Sequence, residues 1–366
     1  MTDFDFVDLA DDTSLARLVA AEERIGVDTE FMREKTFFSE LCLIQVAAGK
    51  QIVCADPMPL AEAASARKNA LWRAITKPTW VLHSGRQDIE VIYQTSGIMP
   101  AALFDTQVAA AILGYQPQIG YAGLVSELFG IELAKSHTRA DWSRRPLADS
   151  VLNYAAEDVK YLLPACDELT ERLHKLGRYQ WVIEDSTDLL DAALYEPAPE
   201  VAIERLKGAR NMRGRERAAA GELAEWRERE ALRTNRPRQW IMRDSVLLDI
   251  AITQPATLGE LGNIQDLAES TVRRAGKKLL KIVETATHDK SNYRPPERPG
   301  EREKSLLKKM QKTVSDAAES LGIATEIVAP KKELSAALHG EQKSRVFRGW
   351  RREIVGDSLA EILNNE

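Results

Sequence analysis

At 366 residues the chain is longer than one ordinary domain, and 44% hydrophobic with 29% charged residues is the composition of a globular protein, not a disordered or fibrous one. Its net charge of −6 hides an asymmetry: residues 1–199 hold 18 Lys and Arg against 30 Asp and Glu, residues 200–290 hold 18 against 14, and residues 291–366 hold 14 against 12. The apolar runs fall short of the ~20 residues that span a bilayer, and the acidic start MTDFDFVDLADD has no basic region ahead of an apolar core, so a cytoplasmic protein without membrane association is expected.

In chain order, RIGVDTEF, LCLIQVAAG and QIVCADP read as three strands of an antiparallel meander. LAEAASARKNALWRAIT has helical periodicity, TWVLHS is a strand, and GRQDIEVIYQTSG is a helix ending at Gly97. LFDTQVAAAILG begins as a strand and becomes a helix, and YAGLVSELFG is a helix closed by Gly130. The helical pattern from Ala148 to Gly177 is long, with a bend expected near Pro164. Strands mixed with helices in this way predict an α/β domain, a mixed sheet flanked by helices, over 1–195. YEPAPE is a linker, after which the pattern is almost wholly helical: one all-α domain over 200–290, a proline-rich connector at 288–304, and a second all-α domain over 296–366.

The three cysteines form no CxxC pair and the five histidines have no metal-ligand spacing, which excludes a disulfide frame and a zinc site. Three short motifs can carry chemistry. In Val27-Asp28-Thr29-Glu30-Phe31, residues two apart on a strand face the same side, so Asp28 and Glu30 stand together. Each raises the other's pKa, and a divalent cation relieves the conflict; a solvated edge strand would show the same letters. Asp88 follows the strand TWVL at the start of a helix, where α/β proteins build sites but where capping also favours an acid. His83, in the same turn, reads as a core histidine. Tyr154 and Asp158, four apart, share one helix face, as would an ordinary surface pair.

In their order, D-x-E on a strand, Asp after a strand and Y-x-x-x-D on a later helix resemble the tyrosine branch of the DEDD exonuclease superfamily. VDTEFMREKTFFSELCLIQVA, VLHSGRQDIEVI, LFDTQVAAAILG, KSHTRADWSRRPL and YAAEDVKYLLP are similar to ribonuclease D over most of residues 5–180. NRPRQWIMRDSVLLDIA and TVRRAGKKLLKI resemble the helicase-and-RNase-D C-terminal (HRDC) domain, and the last segment resembles, more weakly, a second such domain.

The resemblance implies a ribonuclease H-like exonuclease domain that hydrolyses phosphodiester bonds 3′→5′ with two divalent ions, Mg²⁺ or Mn²⁺, and releases nucleoside 5′-monophosphates. Asp28, Glu30, Asp88 and Asp158 would be the metal ligands, with Asp28 bridging, and Tyr154 would orient the attacking water. Phe31 and Met32 would meet the terminal bases, with Lys135, Arg139 and Trp142 as further substrate contacts. The basic helices, with Arg210, Arg213, Arg236, Arg238, Arg273, Arg274, Lys277 and Lys278, would hold the body of an RNA with a free 3′ end, expected to be a tRNA precursor. A monomer is expected because no heptad pattern occurs. A DNA 3′→5′ exonuclease in repair or proofreading is the alternative. A decayed, non-catalytic binding module should lack at least one of the four carboxylates, and a helicase should carry a phosphate-binding G-x-x-x-x-G-K-[ST] loop; the sequence meets neither condition.

Overall fold

The first half forms six strands, five of them on its apolar runs, in the computed structural model, which describes residues 3–10, 13–62, 64–133, 140–286, 300–340 and 344–364. They are β1 (Asp5–Asp8), β2 (Arg24–Met32), β3 (Glu40–Ala48), β4 (Gln51–Asp56), β5 (Thr79–Leu82) and β6 (Ala102–Asp105), in the order β1-β4-β3-β2-β5-β6. The sheet is mixed: β3 and β4 are antiparallel, while β1 runs parallel to β4, and β5 parallel to both β2 and β6. The strand β1 has no counterpart in the sequence reading, because DFVD carries two acids in four residues and no apolar alternation.

Both faces of the sheet are buried, and the period of two sorts the strand residues between them. Ile25, Val27, Ile44, Val46, Trp80 and Leu82 pack in one core. Leu43, Ala47, Cys54, Val81 and Phe104 pack in the other. Eight helices follow or interrupt the strands: α1 (Ser14–Ala20), α2 (Ser65–Thr76), α3 (Arg86–Ser96), α4 (Thr106–Ile112), α5 (Tyr121–Phe129), α6 (Asp149–Lys160), α7 (Leu162–Lys175) and α8 (Tyr179–Thr187). As anticipated, α3 and α5 end at Gly97 and Gly130, both left-handed. The bend expected near Pro164 is a break between α6 and α7 at Tyr161 (φ −106, ψ 4). Proline has no N–H for the carbonyl four residues earlier, so the ladder cannot run on unbroken.

The described residues form two compact units: one comprises those up to Met32, those of Leu41–Tyr195 and those from 300 onward, the other Arg33–Glu40 with those from Glu196 to 286. The second unit is helical: α9 (Gly214–Thr234), α10 (Arg238–Ile241), α11 (Asp244–Thr253), α12 (Leu258–Gly262) and α13 (Glu269–Thr285). These helices share a core that includes Phe37, Leu223, Trp226, Leu247, Ile250 and Leu279. Its buried acid, Glu228, is bound by both Arg205 and Arg238.

The C-terminal helices α14 (Glu301–Leu321), α15 (Thr325–Val328), α16 (Lys331–Leu338), α17 (Gly349–Arg351) and α18 (Asp357–Asn364) are held to α8 in the first unit. The Trp350 ring stacks on Trp181 with centroids 4.4 Å apart, and Arg351 donates from both Nη atoms to the two oxygens of Asp185, at 2.5 and 2.8 Å. Burial alone would raise the Asp185 carboxyl, but Arg351, Arg345 and the Trp350 N–H outweigh it and hold it below the usual range. Removing the acid strands a buried guanidinium, so Asp185→Ala should cost about 3–5 kcal/mol, read as a lower urea midpoint by tryptophan fluorescence. A midpoint equal to wild type would mean that the C-terminal helices do not depend on this pair.

Candidate active site

The strand β2 leaves the sheet interior with Asp28 and Glu30 on the side covered by α6 and α7. Gly26 lets it do so: a Cβ there would stand 3.2 Å from the Cβ atoms of both Ala47 and Leu162, so only glycine lets the start of α7 come this close without a shift. The helix α6 buries Leu152, Ala155, Ala156 and Val159, which turns Tyr154 and Asp158, at the edge of that face, toward β2. Asp28, Glu30 and Asp158 each place a carboxylate oxygen within 4.8 Å of the others. Opposite ligands of a hard cation, at roughly 2.0–2.6 Å each, stand about 4–5 Å apart, so this oxygen set fits one.

The opposite side of the same strand fixes the fourth acid. Thr29 is buried and donates from its backbone N (3.1 Å) and its hydroxyl (2.6 Å) to Oδ1 of Asp88, in the first turn of α3. A cavity of about 350 Å³ gathers Asp28, Glu30, Phe31, Asp88, Tyr154 and Asp158, together with His83, Gln87 and Tyr121.

Without a counter-charge the acids interfere. Burial lifts the Asp28 carboxyl well above the usual range, and Asp88, Asp158 and Glu30 add to the rise. Glu30 is pushed up to about 8 by burial and then by Asp158 and Asp88, and Asp158 to about 7 by burial and Glu157. Asp88 rises only to about 6, because the hydrogen bonds from Thr29 oppose its burial. Burial first, then Asp158, Glu30 and Asp28, raises the Tyr154 phenol, which keeps its proton at neutral pH.

Several groups that hold the site went unread in the sequence. The β5–α3 turn is strained at Ser84 (φ +61) and is clasped by Asp105, which accepts from Ser84 N and Gly85 N, both at 3.0 Å, while capping α4 through Gln107 N at 2.8 Å. A Cβ at Gly85 would stand 2.7 Å from that of Leu82, too close for any other residue without displacement. His83 is satisfied by Thr106 Oγ1 and the Ile119 carbonyl, and burial lowers its pKa, which is a structural arrangement although the ring lines the cavity. Tyr121 accepts from Tyr161 N and donates to the Glu157 carbonyl, so it pins the α6–α7 break beside Asp158. The signal available in the sequence for Asp105 was its place after a strand and before a helix, and it reads equally as an ordinary cap.

Of the expected substrate contacts, Phe31 lines the cavity and rests on the core below it, while Met32 packs against the other core. Trp142 is 4% exposed, with its ring 6.5 Å from that of Tyr154. Its segment is tied down by Arg145, which grips both oxygens of Asp56 and bonds the carbonyls of Cys42 and Trp142. Lys135 and Arg139 lie outside the described residues.

A family model described as a 3′–5′ exonuclease matches residues 7–174, and one for the HRDC domain matches residues 216–283. Ribonuclease D of Gluconacetobacter diazotrophicus is 35% identical, the match covering 94% of this chain and 88% of that protein. Ribonuclease D of Pseudomonas paraeruginosa is 34% identical over 98% and 97%. The crystal structure of Escherichia coli RNase D, described as an exoribonuclease involved in structured RNA processing, superposes with a TM-score of 0.86 at 29% identity, covering 99% of each chain.

A carboxyl whose pKa is higher in the folded than in the unfolded chain stabilises the fold below its unfolded value, near 4.3 for Glu, and that stability is lost as pH rises through the folded value, here about 8. In EDTA, Glu30→Gln should therefore melt close to wild type near pH 4 and above it at pH 8. A melting difference that does not grow with pH would remove charge crowding at Glu30 as its cause.

Proposed function

The chain belongs to the ribonuclease D family of exoribonucleases, and from that premise we propose that it trims structured RNAs from a free 3′ end, tRNA precursors among them, by two-metal-ion hydrolysis at the Asp28–Glu30–Asp88–Asp158 cluster. The observation that carries this reading is the convergence of those four acids and Tyr154 in one cavity from three separate elements. Asp28, Glu30 and Asp158 would hold one ion, with Asp28 shared by a second ion that Asp88 supports. Bound there, Mg²⁺ or Mn²⁺ supplies Lewis-acid charge and lowers the pKa of water.

The residues of the chain do the remainder. Tyr154, protonated at neutral pH, orients the attacking water by hydrogen bonding. Phe31, at the mouth of the cavity with its back on the core, gives the terminal base a flat surface, which tolerates any base because each has a π-face. Trp142 backs Tyr154 from its buried position. The basic helices of 200–290, which carry the HRDC match, would contact the phosphates of the RNA body through Arg210, Arg213, Arg236, Arg273, Arg274, Lys277 and Lys278, whereas Arg238 is committed to Glu228 and the Phe37 ring. The proposed division is 1–195 for chemistry, 200–290 for RNA, and 296–366 as a helical domain. Three unbridged, buried cysteines agree with a cytoplasmic setting, and among the described residues no helix is long and apolar enough to cross a membrane.

A 5′-labelled tRNA precursor with extra 3′ nucleotides should shorten from its 3′ end in Mg²⁺ or Mn²⁺, stay intact in EDTA, and stay intact with Asp28→Asn. A matched single-stranded DNA should be cut more slowly; equal or faster cutting would move the function to the DNA alternative. Asp105→Asn replaces an acceptor with a donor opposite the Ser84–Gly85 amides. It should lower kcat by about 10- to 100-fold, as expected when a supporting contact misplaces a ligand, and raise the metal concentration for half-maximal rate. An unchanged metal requirement would show that the turn does not place Asp88.

A further inference from the structure

Trp240 is the most solvent-exposed large apolar side chain among the described residues, at 61%. A tryptophan left in water sacrifices much hydrophobic stabilisation, and its surroundings show that this one is held out, not loosely hanging. It sits in the one-turn helix α10, and the next two residues, Ile241 and Met242, are buried in the core of the second unit. The turn before it is fixed as well: Asn235 is left-handed (φ +46) and its Oδ1 accepts from the backbone N–H groups of both Phe37 and Phe38, Pro237 follows, and Arg238 is locked between Glu228 and the Phe37 ring, 4.4 Å from the centroid. The indole is thus presented on a rigid base.

Its electrostatic setting is one-sided. Residues 233–243 contain four arginines and no acid. Arg238 is neutralised internally by Glu228 and Arg233 is paired with Glu230. Arg236 is exposed, and Arg243 is 67% exposed with only a long 3.6 Å pairing to Asp266. An aromatic face on a rigid base, with exposed arginines four residues before it and three after it, is complementary to a polyanion that carries flat, unpaired bases; an acidic peptide would match the charges but make no use of the ring.

We propose that Trp240 is a base-stacking platform for an unpaired nucleotide in the body of the RNA substrate, with Arg236 and Arg243 on the phosphates either side. It rests on the reading of the chain as an exoribonuclease and adds a contact for single-stranded or looped RNA, separate from the recognition of the 3′ terminus by the cavity. Because stacking tolerates every base, this contact selects for unpaired structure and not for sequence. It lets the enzyme hold a loop or a single-stranded arm of a folded RNA while the 3′ end is shortened.

The test is binding of the full chain, in EDTA so that nothing is cut, to a fluorescein-labelled single-stranded RNA and to a blunt RNA duplex of the same length, read by anisotropy. Trp240→Ala should weaken single-strand binding about tenfold, within the range of one lost base stack, and leave duplex binding within twofold. Trp240→Phe, which keeps a smaller ring, should recover most of the loss. Arg236→Ala with Arg243→Ala should reduce the salt slope by about one to two units for two lost phosphate contacts, whereas Trp240→Ala should leave that slope unchanged. Equal single-strand affinity for Trp240→Ala and wild type would overturn the proposal, as would an equal loss on the duplex or a change of oligomeric state by light scattering, which would assign the indole to a protein contact. Metal-dependent shortening of the same single strand by wild type is read separately, so a failure of the exoribonuclease reading and a failure of the platform give different results.

Discussion

Four carboxylates in one cavity repel each other, and the first unit is built around enduring that repulsion. In water such acids would move apart; here β2, α3 and α6 do not let them. The result is written in the raised pKa values of Asp28, Glu30 and Asp158 and in the lower value of Asp88, the one acid that receives two hydrogen bonds from Thr29. A cluster of this kind is destabilising as a charged set and becomes favourable when cations enter, which is the thermodynamic sense in which a fold can store affinity for metal.

The strand β2 divides the work by its alternation. Its even residues, Asp28 and Glu30, face the helix that brings Asp158 and Tyr154, while Thr29, between them, reaches the other way to anchor Asp88. One strand thereby sets both halves of the cluster, and a one-residue slip in register would exchange them. The surrounding clasps tie side chains to backbone: Asp105 accepts from the Ser84 and Gly85 amides, Tyr121 accepts from Tyr161 N at the α6–α7 break, and Arg145, paired with Asp56, donates to the Trp142 and Cys42 carbonyls. They fix backbone positions, where a displacement of a fraction of an ångström is felt at a ligand.

The helical unit has a different economy. Its buried charges are neutralised inward, Glu228 by Arg205 and Arg238, and Arg227 by Asp244, while near Trp240 Arg236 is exposed and Arg243 has a long pairing to Asp266. That leaves a basic surface around an exposed indole, suited to a substrate whose backbone is anionic and whose bases are flat.

The sequence by itself determined a good deal. Short apolar runs placed β2 to β6, Gly97 and Gly130 marked helix ends, and the order D-x-E, Asp, Y-x-x-x-D, with its flanking segments, carried the family. These are local signals: spacing along a strand or helix and the letters themselves survive without knowledge of what lies across the molecule. What only the tertiary structure decided is everything that depends on residues far apart in the chain. The strand β1 exists because β4 offers it an edge, and not because DFVD prefers it. Asp105, Thr29 and Tyr121 look like a cap, a strand residue and a helix start until Ser84, Asp88 and Tyr161 are seen against them. Trp142, expected to touch substrate, is buried in a segment tied down by Arg145, whose ion-pair partner Asp56 lies 89 residues before it. The C-terminal helices, separable on the page by a proline-rich connector, group with the sheet through Trp181 and Asp185. Long-range packing selects among local alternatives that the sequence leaves nearly equal in energy, and that selection is why the carboxylates could be named from the sequence while the groups that hold them could not.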